Sequence, residues 1–176
     1  MFQHPILTLA RLPVAKWHKA VDAGIFSSEI LELVDGVIFD LRTPDALHEH
    51  TVGLLERTLN QGLPADHSIR ARMPLVLDDI SEPRPDVAIM HRERAVLLIE
   101  ISSTGTRRDR LLKLLLYARV AVPEVWLVDL PGRCVEVYRN PDGVDAYSSV
   151  ETFAAGQKVS PSGFPGVIVD VAMLFA

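Results

Sequence analysis

The sequence predicts an α/β fold: a central mixed β-sheet flanked by helices, with an N-terminal β-hairpin. Three observations carry this expectation. Ile30-Leu-Glu-Leu-Val34 and Val37-Ile-Phe39 are apolar runs split by Asp35-Gly36, the pair that supplies the positive φ angles of a type I′ turn. Ala95-Val-Leu-Leu-Ile-Glu-Ile101 is followed by helical spacing to about Val120 and then by Glu124-Val-Trp-Leu-Val-Asp129, a strand, helix, strand succession. Another apolar run opens at Pro85-Asp86.

In chain order, Leu12 to Gly24 reads as a short helix, with Pro13 in its first turn and Gly24 as its stop. After the hairpin, Val52, Leu55 and Leu59 give helical spacing from Ala46 to Gly62, and Ile69 to Leu77 reads as extended around Pro74. Thr106-Arg-Arg-Asp109 matches a capping box for the helix that Pro123 ends. Leu130-Pro-Gly-Arg133 turns the chain into Cys134-Val-Glu-Val-Tyr138, an apolar strand expected at the sheet edge. The tail, with Gly156, Pro161, Gly163, Pro165 and Gly166, is broken until a last strand at Val167 to Val171.

The 176 residues fall within the range of one domain, so residues 1–176 are expected to form a single unit. At 48% hydrophobic and 23% charged the chain reads as an ordinary soluble protein, without the ~20-residue apolar stretch of a membrane span. No basic leader precedes an apolar stretch in Met1 to Ala10, which makes the cytoplasm the expected compartment. The single cysteine, Cys134, excludes an internal disulfide and a cysteine-based zinc site. A net charge of −5 argues against a general duplex coat, while Arg107, Arg108, Arg110, Lys113 and Arg119 make one local basic cluster and Arg70, Arg72, Arg84, Arg92 and Arg94 flank Asp86. Each cluster reads either as a phosphate surface or as a solvated face.

Asp86 and Glu100 carry the chemistry. Carboxylates in apolar strands lose their water and need a compensating cation; paired on adjacent strands they suit Mg²⁺, whereas singly each reads as an ordinary strand-end ion pair.

The order of hairpin with Glu32-Leu-Val-Asp-Gly36, helix opened by His48, Glu82-Pro-Arg-Pro-Asp86, Leu98-Ile-Glu-Ile-Ser-Ser103, Arg107-Arg-Asp109, Lys113, Tyr117-Ala118, Val122 to Asp129 and Val135 to Tyr138 resembles the PD-(D/E)XK nuclease superfamily. More narrowly, it resembles the Uma-type family of bacterial restriction-endonuclease-like proteins, from about Glu29 to Tyr138 with an echo in Gly163 to Gly166. The resemblance implies a restriction-endonuclease-like core and Mg²⁺- or Mn²⁺-dependent hydrolysis of DNA. Asp86, Glu100 and the Ile101 carbonyl would hold the metal, and Glu32 would be an additional acid. Where the superfamily motif has lysine stands Ser102, and the family's substitute is Lys113, thirteen residues after Glu100. In that role Lys113→Ala is expected to leave folding and metal binding largely intact, since a surface helix accepts alanine well, while slowing cleavage; alternatively Lys113 pairs with Asp109 on the solvent face of the helix. Tyr117 reads as packing or hydrogen-bond support, and His48 as a phosphate or acid partner or as a cap. Symmetric cutting and the expected apolar edge at Val135, Val137 and Tyr138 suggest a homodimer. The alternative is a catalytically weak nuclease-fold module that binds nucleic acid or a protein partner.

Overall fold

The computed structural model describes residues 9–26, 30–41, 43–103 and 107–176, with backbone alone for 107–110. The N-terminal leader reading, the 104–106 loop with its capping box, and the side chains of Arg107, Arg108, Asp109 and Arg110 lie outside the described residues.

The elements are α1 (Val14–Asp22), β1 (Leu31–Val34), β2 (Val37–Asp40), α2 (Ala46–Asn60), β3 (His67–Ala71), β4 (Val87–His91), β5 (Arg94–Ser102), α3 (Arg107–Arg119), β6 (Glu124–Asp129), β7 (Cys134–Pro141), β8 (Tyr147–Ala154), β9 (Lys158–Val159) and β10 (Val169–Asp170), then a 3-10 turn at Val171–Phe175. Six strands form the central sheet in the order β3-β4-β5-β6-β7-β8. Only β5 and β6 run parallel, joined across the sheet by α3; the other neighbours are antiparallel. The expected α/β architecture, mixed sheet and hairpin are all present.

The two central acidic strands are near-continuous apolar runs because both of their faces are covered. Val87, Ile89, Leu97, Ile99 and Ile101 pack with Val52, Leu55 and Leu59 of α2. The alternate residues Ala88, Met90 and Leu98 pack with Leu116 and Tyr117 of α3. Asp45 caps α2 by accepting from the His48 amide at 2.8 Å. β5 carries Glu100 inside the strand and continues to Ser102.

The hairpin β1-β2 stands apart as a two-stranded sheet, tied to the body where Leu33 and Glu82 exchange backbone bonds of 3.2 and 2.7 Å. Its Leu31 and Leu33 pack on Val14 and Trp17 of α1. Glu82 pins that helix, accepting from the Trp17 indole at 2.7 Å and bonding the His18 ring at 2.8 Å.

One sequence expectation fails here. The strand with Val135, Val137 and Tyr138 is not an edge: β8 pairs along it and both valines are fully buried. The polar Tyr147-Ser-Ser-Val-Glu-Thr-Phe-Ala154 lacks the apolar signature of a strand, so the true edge escaped notice.

The hairpin turn places Asp35 at φ 50° and Gly36 at φ 70°, as a type I′ turn requires. A Cβ on Gly36 would lie 2.7 Å from the Leu12 amide nitrogen. Gly36→Ala is therefore expected to cost about 2 kcal/mol, roughly 4–8 °C in Tm, by thermal unfolding. An unchanged Tm would contradict this reading of the turn.

Candidate active site

Glu100, Asp86, Glu32 and Lys113 come together at one end of the central sheet. Asp86 directly precedes β4 and Glu100 lies one step beyond the Val87–Ile99 pair of β4 and β5, so the pleat turns both acids to the α3 side. The 3.6-residue period puts Lys113 and Tyr117, one turn apart, on the α3 face that covers β5. Glu32 arrives from the hairpin.

Lys113 Nζ sits 2.8 Å from Glu32 Oε2 and 3.0 Å from Glu100 Oε2. Tyr117 donates its hydroxyl to Glu100 Oε1 at 2.5 Å. Glu32 Oε2 also accepts from the Arg84 amide at 3.0 Å. The side chains of Lys113, Glu100 and Glu32 are only 12%, 12% and 6% exposed. Lys113 is thus no surface lysine, and the expectation that alanine would be harmless there is withdrawn. Burying an ammonium normally depresses its pKa, yet the Glu100 and Glu32 charges outweigh that cost and hold Lys113 protonated well above the ordinary lysine value. Burial acts first on Glu100 as well, pushing it up to about 7; Lys113 pulls the other way, and the charges of Asp86 and Glu32 add to the rise. Burial, with the Glu100 charge behind it, likewise raises the Tyr117 phenol.

Asp86 is held from three sides. Its Oδ2 accepts from the Ile101 amide at 2.7 Å, and its Oδ1 lies 3.2 Å from His48 Nε2 and 3.9 Å from Arg72 Nε. Burial opposes charge on the His48 ring, but the hydrogen bond and charge of Asp86 prevail and its pKa rises. Ser102 shares the Glu100 face of β5 by alternation, so Lys113 reaches from the helix towards the place where a lysine at 102 would project. His50, two residues from His48, is exposed.

Sequence reasoning noticed Arg72 only as one of several flanking arginines. Its backbone is left-handed, φ 51°, with its amide shared between the carbonyls of Pro85 and Asp86 at 3.2 Å each. That kink aims the guanidinium at the site: Nη1 bonds Glu49 Oε1 at 2.5 Å, Nη2 lies 3.4 Å from His48 Nδ1, and Nε is buried without a hydrogen-bond partner among the described residues. Strained backbone and an unsatisfied buried donor at one residue are features that cluster at functional sites. No periodicity signals them. Several other basic residues are committed to structure: Arg84 Nε donates to the Leu31 carbonyl at 2.9 Å, and Arg119 pairs with Asp35 and Asp78.

The kink makes Arg72→Gly more stable than Arg72→Ala, the reverse of the usual order, by about 1 kcal/mol or roughly 2–4 °C. Both variants lose the same contacts and only glycine relieves the φ angle. Thermal unfolding of the pair decides; a higher Tm for alanine would remove the claim of strain.

Residues 25–172 match the model of the Uma2 family, described as "Putative restriction endonuclease". Among solved structures, the chain is similar to a protein described as a putative nuclease belonging to DUF820 from Anabaena variabilis, with a TM-score of 0.69 and 19% identity over 82% of this chain and 89% of that one. It is also similar to the type IIG restriction endonuclease BpuSI, at a TM-score of 0.45 and 17% identity over 62% of this chain and 14% of that one. No curated protein sequence matches significantly. The 0.69 match is a likeness of fold, in keeping with the mixed sheet described above. The family match covers most of the chain, and the chain belongs to the Uma2 family of restriction-endonuclease-like proteins.

Proposed function

We propose that this protein is a divalent-metal-dependent endonuclease that hydrolyses DNA phosphodiester bonds, with Asp86, Glu100 and Lys113 as its catalytic residues. The observation that carries the reading is the convergence of two strand acids, a hairpin acid and a helix lysine in one largely buried cluster at the end of the sheet.

Asp86, Glu100 and Glu32 gather near the Lys113 ammonium, and burial first, then the neighbouring Asp86 and Glu32 charges, pushes Glu100 up to about 7 against the pull of Lys113. A hard divalent cation, Mg²⁺ or Mn²⁺, fits that oxygen donor set. Asp86, Glu100 and the Ile101 carbonyl would hold it, with Glu32 as the further acid. When bound, the metal supplies Lewis acidity, lowering the pKa of a water and neutralising charge on the scissile phosphate.

The other roles belong to the chain itself. Lys113, held protonated, orients the attacking water and screens negative charge developing on the phosphate; it does not serve as the base. Tyr117 fixes the Glu100 carboxylate through its hydroxyl. His48 Nε2 and the Ile101 amide fix opposite oxygens of Asp86. The guanidinium of Arg72, a side chain 33% exposed and beside Asp86, would offer positive charge to a phosphate entering there. Symmetric cutting of a duplex would need two copies, and β7, covered by β8, is not their pairing strand.

A second reading has its own support: Glu32, Lys113, Glu100 and Tyr117 satisfy one another without any ion, as a purely structural network would in a DNA- or protein-binding module.

Cleavage of supercoiled plasmid and of single-stranded DNA separates the two readings. The wild type is expected to cut only with Mg²⁺ or Mn²⁺, and Glu100→Gln to cut about 10²–10⁴-fold more slowly, the range for loss of a positioned catalytic group. Equal rates in wild type and Glu100→Gln, or cutting in chelator, would defeat the nuclease mechanism. DNA binding without cleavage under any condition would favour the binding module.

A further inference from the structure

We infer that Asp66, His67 and His91 form a second metal site, for a borderline transition ion of the Zn²⁺ class, that clips the edge strand of the sheet to its neighbour. His67 opens β3 and His91 ends β4, and the antiparallel register sets them directly opposite each other. Asp66 immediately precedes β3 and its carboxylate bridges both rings, Oδ1 to His67 Nδ1 at 2.8 Å and Oδ2 to His91 Nε2 at 3.1 Å. One ligand atom from each of the three residues lies within 4.8 Å of the other two. Two imidazole nitrogens and a carboxylate oxygen are the donor set that Zn²⁺, Co²⁺ and Ni²⁺ prefer and that Mg²⁺ does not.

The site is built unevenly. The His67 ring is packed, only 14% exposed, with Phe164 edge-on at 4.9 Å, whereas Asp66 and His91 are 57% and 41% exposed. The two rings stack at 4.7 Å with 17° between their planes. Ligation of one ion therefore turns the freer ring, His91, about its χ2 until its Nε2 points at the ion, which displaces the protons now shared with Asp66. Three protein ligands leave a fourth, solvent-filled position. The ion would tie the Asp66 turn, β3 and β4 together at the end of the ladder opposite Asp86, about 16 Å away along β4 at ~3.3 Å per residue. β3 has a neighbour on one side only, so a clip there protects an otherwise open edge.

The test uses the full chain and Zn²⁺ or Co²⁺ alone, without DNA, so its outcome does not depend on nuclease activity. Calorimetry should find a zinc ion whose affinity drops at least tenfold in His91→Gln and in Asp66→Asn, and survives in Asp86→Asn/Glu100→Gln and in excess Mg²⁺. Co²⁺ should give visible d–d absorption that His91→Gln abolishes, and zinc should raise the Tm of wild type more than that of His91→Gln. The exposure of Asp66 and His91 lets both variants fold. No zinc binding by wild type, or zinc binding that His91→Gln leaves intact, would overturn the inference and leave Asp66 as a carboxylate shared by a histidine pair.

Discussion

The Lys113 ammonium, lodged between the Glu32 and Glu100 carboxylates, is the interaction on which the active end of this fold depends. It joins three separate pieces of chain: the hairpin through Glu32, the parallel crossover through α3, and the central sheet through Glu100. Removing one partner of a buried ion pair leaves an uncompensated charge and costs about 3–5 kcal/mol, far above the value of a surface pair. Glu32 shares the task of holding the hairpin against α3 with the Arg119–Asp35 ion pair and with Val34, which packs with Leu116 and Tyr117 of α3, while the Leu33–Glu82 bridge ties the hairpin to the segment before β4.

On the proposed function, the same arrangement trades stability for chemistry. Burial, with the Asp86 and Glu32 charges behind it, pushes Glu100 up to about 7, and Arg72 takes a left-handed conformation with an Nε that has no hydrogen-bond partner among the described residues. Apolar replacements would make a more stable domain, but they would discard the oxygen atoms and donors that the proposed phosphodiester hydrolysis would use. Tyr117, His48 and the Ile101 amide recover part of the cost by satisfying the acids and fixing their geometry.

Much of the fold was legible in the sequence because local signals agreed with the global architecture. Asp35-Gly36 named its own turn, and β4, β5 and β6 are buried on both faces and so read as unbroken apolar runs. Asp86 and Glu100 stood out against those runs, and helical periodicity around Lys113 and Tyr117 placed both on one face. What escaped depended on neighbours distant in sequence. β8 is a polar strand that exists by pairing with β7, and overlooking it made β7 seem an edge. The burial of Lys113 follows from a hairpin folding over α3. The Arg72 kink and the meeting of Asp66, His67 and His91 arise from strand register.

Thermal unfolding of Lys113→Met in chelator at pH 6 and pH 8, and again with Mn²⁺, tests the central role of that lysine most directly. Without the ammonium the folded-state pKa of Glu100 rises further above its unfolded value, so stability is retained at low pH and lost as pH climbs through the folded-state pKa. The expected result is a deficit at pH 8 of about 3–5 kcal/mol, roughly 6–20 °C, that is smaller at pH 6 and largely recovered with Mn²⁺. A Lys113→Met protein that unfolds in chelator at the wild-type temperature at both pH values would contradict it.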